Sequence, residues 1–276
     1  MSCSHCRKQC ASLKRCSRCR QVSYCGAECQ KAGWKGHKIS CKKSCATLEE
    51  AVEKVNAAGV ANDWGEVLKW EGRMDEMMEG HPDAIRDAII QTFVQAHTVF
   101  YKRTCSNEHA LSVAGLEARR SEVLGKMQRF RDQGEAFCRV ADHVHVAGKN
   151  KDAEVYFQRA RKVAEAHGFF NLECRSCLGL GKLAMQEERN EEGADLLRNA
   201  LAAVPLCEHD IGTHEINVLR ALTAALILTR AIDEVEPLVP RYREAAKAES
   251  QRRGGLCVDE FTSLITSARL HEVLCT

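Results

Sequence analysis

The sequence predicts two unlike parts: a small cysteine-rich module over residues 1–45 and an all-α domain of stacked helical hairpins over residues 46–276. Three observations predict this division. Nine of the sixteen cysteines fall in the first 45 residues, and the other seven are scattered over the remaining 231. Charge divides at the same place. Residues 1–45 carry eleven Lys or Arg against one acid, Glu28, a net of +10, whereas the rest carries 29 bases and 37 acids, a net of −8. The total of +2 therefore hides a basic head on an acidic body. From about Leu48 onward, apolar residues recur at helical spacing, and the whole chain holds only four prolines, Pro82, Pro205, Pro237 and Pro240.

At 276 residues, 45% hydrophobic and 28% charged, the composition is that of an ordinary globular chain. No apolar run approaches the ~20 residues that cross a bilayer, and the amino terminus opens with cysteines and bases rather than an apolar leader. The expectation is an intracellular protein, cytoplasmic or nuclear, with no membrane partner. In a reducing compartment a dense, regularly spaced set of thiols points to metal rather than to disulfides.

The candidate ligands are, in order, Cys3, Cys6, Cys16, Cys19, Cys25, Cys29, His37 and Cys41. Zinc takes four sulfur or imidazole ligands in a tetrahedron, so eight ligands make two closed, structural sites. Each C-x2-C pair forms a knuckle with both sulfurs on one ion. The C-x3-C and H-x3-C pairs place ligands one helical turn apart. So few large apolar side chains occupy this stretch that metal must supply its folding energy, on the order of 10 kcal/mol per site. Spacing does not settle which ligands share an ion. Cys10 offers an alternative to Cys3 as a C-x3-C with Cys6, although knuckles favour the two-residue gap. Cys45 reads as a free thiol and His5 as solvated. Eight ligands on two ions leave no open position for water, so the zinc is structural rather than catalytic.

These residues resemble the MYND-type zinc finger. The likeness runs over residues 3–41 as C-x2-C-x9-C-x2-C-x5-C-x3-C-x7-H-x3-C, with LKRCSRCR, YCGAECQK and W-x2-H between. It implies an interleaved cross-brace, with Cys3, Cys6, Cys25 and Cys29 on one zinc and Cys16, Cys19, His37 and Cys41 on the other. It also implies a protein partner, since such modules dock short proline-containing peptides, with Ser17, Gln30 and Trp34 at the contacting positions. An aromatic plane suits the preorganised chain of proline. Trp34 is equally suited to anchoring the terminal helix of the module on its knuckles. Gly33 departs from the family pattern, which often carries an acid there. The basic surface permits binding to nucleic-acid phosphates as a second choice, but no base-reading helix or stacking platform accompanies it.

In the body, LEEAVEKVNAAGVAN, AIRDAIIQTFVQAHTVFYK and ALSVAGLEARRSEVLGKMQRF place apolar residues at i, i+3, i+4 and i+7. Between residues 147–166 and 185–204, Ala153, Phe157 and Ala160 match Gly193, Leu197 and Ala200, each at a shift of forty. Upstream, Phe137, Val140, Ala141 and Val144 match Cys177, Leu180, Gly181 and Ala184. This helix-turn-helix repeat over 137–205 resembles a tetratricopeptide repeat with a longer period and without the usual first-helix aromatics. A degenerate third unit is expected over 214–248, with Val235, Val239 and Tyr242 as contacts; residues 48–130 are expected to hold hairpins of unassigned register. Stacked hairpins form a solenoid groove suited to a second partner, but Cys138, Asp142, Leu178, Gly179 and Lys182 do not make a carboxylate clamp for chaperone tails.

Other features read as structure. Cys174 and Cys177 form a C-x2-C inside an amphipathic helix and are expected to be buried thiols. His143 and His145 point to different helix faces. Cys207, His209, Asp210 and His214 form a weak metal candidate in a polar turn, and Phe169-Phe170 is expected to staple neighbouring hairpins. MYND fingers also occur in SET-domain lysine methyltransferases, but no Asn-His element, strand-rich block, P-loop, Rossmann pattern or nucleophile elbow is present. The expectation is a non-enzymatic interaction adaptor with no small-molecule substrate. Its fold class is a two-zinc cross-brace MYND-like finger followed by an all-α, TPR-like solenoid.

Overall fold

The computed structural model describes residues 2–9, 12–16, 22–40, 47–208 and 211–253. The chain forms two compact units, Met1–Gly80 and His81–Thr276. The expected boundary between residues 45 and 46 falls outside the described residues.

In the first unit β1 (Lys14–Arg15) pairs antiparallel with β2 (Ser23–Tyr24), with Lys14 opposite Tyr24 and Arg15 opposite Ser23. The helix α1 (Ala27–Ser40) follows directly. Three short helices complete the unit: α2 (Leu48–Val60), α3 (Trp64–Leu68) and α4 (Glu71–Met77). Thr47 caps α2 by accepting from the Glu50 amide, and Asp63 caps α3 by accepting from the Glu66 amide, so polar starts fix where each helix begins. α2 buries Leu48, Ala51 and Val55 and packs on α3 and α4, which bury Val67 and Met74.

The second unit is all helix among its described residues. It comprises α5 (Asp83–Thr104), α6 (Asn107–Lys126), α7 (Phe130–Val146), α8 (Asn150–His167), α9 (Phe170–Gln186), α10 (Asn190–Ala203), α11 (Ile211–Leu228) and α12 (Leu238–Arg253), with short 3-10 turns at Val204–Leu206 and Ile232–Glu234. Each helix packs on the next, and α9 also packs on α7 and α11, as in a helical-repeat solenoid. The forty-residue shift is visible in the backbone: α7 and α9 start at Phe130 and Phe170, and α8 and α10 at Asn150 and Asn190. The aligned positions are the packed ones. Ala153, Ala160, Leu197 and Ala200 have no exposed surface, and Phe157 is 4% exposed. At Gly181 and Gly193 the helices approach so closely that a Cβ on either would lie 3.1 Å from the other's carbonyl oxygen. The register left open over 48–130 resolves into α5 and α6 as a further hairpin. Val235, between the 3-10 turn and α12, and Tyr242, on α12, are buried, with Val239 packed beside Tyr242.

One turn recurs. Asn62, Gln128, Gly148, Glu188 and Arg230 each take a left-handed backbone, with φ of 57°, 56°, 78°, 62° and 60°. In every case the next residue's amide reaches back five positions, as in Asp63 to Ala58, Arg129 to Leu124, Lys149 to Val144, Arg189 to Ala184 and Ala231 to Leu226, at 2.9–3.0 Å. This is the six-to-one closure of a Schellman ending, made here mostly without glycine.

A buried ion network joins α5, α6 and α7. Arg120 and Arg129 donate to Asp87 at 2.6 and 3.0 Å, and Arg120 and Arg139 both engage Glu117. Asp87 is 5% exposed, Glu117 1% and Arg120 8%.

One expectation holds against an apparent exception, and one needs correction. α11 has the length and average composition of a membrane-crossing helix, but His214, Glu215, Asn217 and Arg220 interrupt it, so it holds no apolar run of that length. Its apolar residues are used inside the unit, where Val218, Leu219, Leu222, Ala225 and Leu226 are buried against α10 and α12. Of the Phe169-Phe170 pair only Phe169 staples; it packs on the α7–α9 core, while Phe170 is 38% exposed at the start of α9.

Replacing Glu188, which bears the strained backbone, with glycine is expected to raise stability by about 0.5–1 kcal/mol in denaturant unfolding. Glu117→Ala leaves two arginines without their shared carboxylate and is expected to cost about 3–5 kcal/mol by the same measurement.

Candidate metal centre

The first ligand pair sits on a tight knuckle. The Arg7 amide donates to the Cys3 carbonyl and the Cys3 amide to the Lys8 carbonyl, both at 2.9 Å, and Arg7 takes a left-handed φ of 59° to close the loop. An isolated bridge between Ser2 and Gln9 flanks it. The knuckle is tied to β2 where the Ser4 amide donates to the Ser23 carbonyl (2.8 Å) and the Ser23 amide donates to Ser4 Oγ (3.2 Å). That anchoring brings Cys3 and Cys6 against Cys25, one residue beyond β2, and Cys29, in the first turn of α1.

The four sulfurs lie within 4.8 Å of one another, and theirs is the one group of three or more potential ligands that gathers so closely among the described residues. Cys6 Sγ is 3.7 Å from Cys25 Sγ, which is 3.3 Å from Cys29 Sγ. A tetrahedral zinc with bonds of about 2.3 Å separates its sulfurs by about 3.8 Å. The set fits one closed zinc site.

The crowding has an electrostatic signature. Amide donation, chiefly from Cys6, lowers the Cys3 thiol to about 6. Cys25 is pushed well above the thiol range by the sulfurs of Cys29, Cys6 and Cys3. Cys29 is also raised; its hydrogen bond from Cys25 works the other way, and burial with Cys6 and Cys3 outweighs it. Without a cation the cluster holds its protons unequally, so metal binding must expel them.

Only half of the second ligand set is described. Cys16 is buried at the end of β1, its amide donating to the Val22 carbonyl at 2.8 Å. His37, on α1, stands edge-on to Tyr24 and Trp34, with ring centroids at 6.4 and 5.7 Å. Cys19 and Cys41 lie outside the described residues, as do Ser17, Cys10 and Cys45. Gln30 and Trp34 are four residues apart and share one face of α1. Trp34 is half-buried and packs on the cluster of Cys3, Cys16 and Tyr24, so it contributes to the small core and still offers surface.

Tyr24 is what sequence reading missed. It is 2% exposed, packs on Cys3 and Cys16, and comes so close to α1 that a Cβ on Gly33 would lie 3.0 Å from its ring. That contact gives a physical reason for glycine where the family often carries an acid. The signal was available, because Tyr24 is the single aromatic residue between the first cysteine and Trp34.

The remaining candidates behave as structure. Cys174 and Cys177 have no exposed surface, and burial raises their thiols to about 12 and about 11. His143 meets the Tyr101 ring edge-on, and His145 hydrogen-bonds Asn150. His209 and Asp210 of the weak turn candidate lie outside the described residues.

Residues 3–41 match the model of the MYND finger. The amino-terminal module is a MYND finger. MYND fingers bind two zinc ions and generally mediate protein–protein interaction. The chain is 34% identical over 108 residues to SET domain-containing protein 14 of Caenorhabditis elegans, covering 36% of this chain and 25% of that protein. It is 56% identical over 53 residues to ubiquitin carboxyl-terminal hydrolase 19 of Arabidopsis thaliana, covering 19% and 8%. Over 44 residues it is 43% identical to the N-lysine methyltransferase SMYD2 of Gallus gallus, covering 16% and 10%. The chain thus spans a quarter or less of the length of these relatives.

Elemental analysis is expected to give two zinc ions per chain, falling to about one for Cys25→Ser. Adding zinc to the metal-free chain in weakly buffered solution should release protons, and zinc affinity should fall as pH drops and the thiols regain them.

Proposed function

We propose that the chain is a zinc-dependent adaptor, with Cys3, Cys6, Cys25 and Cys29 on one zinc and Cys16, Cys19, His37 and Cys41 on the other. On this reading residues 1–45 are the docking module and the helical repeats of 46–276 hold a second protein partner. Ser17, Gln30 and Trp34 form the contact for a short, proline-containing peptide. The adaptor works inside the cell, in cytoplasm or nucleus, and performs no chemistry of its own.

The supporting observation is that likenesses of finger length, 44–53 residues, reach relatives named for two unlike chemistries, a ubiquitin hydrolase and lysine methyltransferases. A segment common to both is a recognition part rather than the catalyst of either. The closed four-sulfur cluster agrees, since it leaves no coordination position for substrate. The 108-residue likeness to a SET protein extends beyond the finger and favours a second reading, a methyltransferase relative. Saturable binding of a methyl donor would select that reading over the adaptor.

Trp34→Ala is expected to weaken binding of a proline-containing peptide at least tenfold, read by fluorescence anisotropy, with both zinc ions retained. Unchanged affinity in a zinc-replete variant would remove Trp34 from the contact.

A further inference from the structure

Arginines on α7 to α10 are almost all neutralised. Arg131, Arg139, Arg161, Arg175, Arg189 and Arg198 each hold a carboxylate. Arg159 pairs with no carboxylate among the described residues; its guanidinium lies 5.3 Å over the Tyr156 ring. Lys149, at the start of α8, has no ion-pair partner among the described residues either. Both cations stand at the rim of one cleft of about 420 Å³ between α6 and α8.

The floor of the cleft is apolar. Ala114, Val140 and Val144 are buried there, flanked by Ala118 and Tyr156, and Val155 on the rim is 46% exposed. The wall from α6 includes Gly115, which differs from the glycines at the hairpin crossings. A Cβ at Gly181 or Gly193 would strike the neighbouring helix, whereas one at Gly115 would meet nothing within 4 Å. A glycine inside a helix costs about 1 kcal/mol relative to alanine, and packing among the described residues gives no reason for it. What it does give is open space beside an apolar floor.

We propose that this cleft docks an amphipathic protein segment carrying bulky aliphatic side chains beside a carboxylate. The aliphatic groups fill the space over Val140 and Val144, and the carboxylate meets Arg159 and Lys149. Tyr156 holds the Arg159 guanidinium at the rim, so a charge-assisted contact forms with little side-chain ordering. Asp152 on the same rim opposes further negative charge there, so the carboxylate is set by Arg159 and Lys149 rather than by the whole edge. The inference deepens the adaptor reading, on which it rests, by giving the chemistry of the partner taken by the helical unit.

The test uses the full chain and two synthetic helical peptides with leucines at i, i+3, i+4 and i+7. One carries a glutamate at the edge of the leucine face, and its twin carries lysine there. By fluorescence anisotropy the glutamate peptide should bind saturably and its twin at least tenfold more weakly. Gly115→Trp should weaken binding at least tenfold while the melting temperature stays equal or rises, because the new side chain enters open space. Arg159→Glu should reverse the preference between the peptides. Trp34→Ala should leave this binding unchanged, separating the cleft from the finger. Absence of saturable binding, equal binding of the twins, or indifference to Gly115→Trp would overturn the proposal. Loss on Trp34→Ala would move the peptide to the finger, and a dimer dissolved by Gly115→Trp would assign the cleft to a second copy; either result overturns it.

Discussion

Four thiols within 4.8 Å of one another cannot all give up their protons unless a cation stands among them. That constraint organises the first forty residues. Among the described residues the finger's buried core is small, Cys3, Cys16 and Tyr24 with a few half-buried neighbours, and far too slight to offset the chain entropy of the loops around it. Zinc supplies the difference and dictates the geometry. The knuckle must close tightly enough to hold Arg7 at positive φ, and β2 must end one residue before Cys25. α1 must then begin where Cys29 can complete the tetrahedron. Once α1 is fixed by its first turn, Gln30 and Trp34 are aimed as a consequence.

The helical unit solves its folding problem differently. It has ample apolar surface, and its constraint is how closely helices can approach. Small residues at Ala153, Ala160, Gly181 and Gly193 allow the crossings, and Phe157 and Leu197 fill the grooves they leave. At α5–α7 a second device operates, where Asp87, Glu117 and Arg120 replace part of the apolar contact with a buried charge network. Such a network adds little net stability over an apolar core but penalises any other register, since a slipped helix leaves buried charges unpaired.

Much of this was legible in the sequence. The ligand spacing pointed to zinc without coordinates, and the forty-residue shift picked out Ala153, Phe157, Leu197 and Ala200 as contact positions. What stayed hidden has physical causes. The hairpin of α5 and α6 was obscured because its buried face includes Asp87, His97, Glu117 and Arg120, which break an apolar pattern. The left-handed turns at Gln128, Glu188 and Arg230 lacked the glycine that usually announces them. Tyr24 was overlooked because a strand of two residues shows no alternation.

The recurrent six-to-one turn has a consequence for how disturbance spreads. Because every helix finds its contacts mainly in the helices adjoining it in sequence, the second unit is effectively one-dimensional. Opening of α12 is felt by α11 and is damped before it reaches α7. One end can therefore fray, or be reshaped by an incoming protein, while the opposite end keeps its native amide protection.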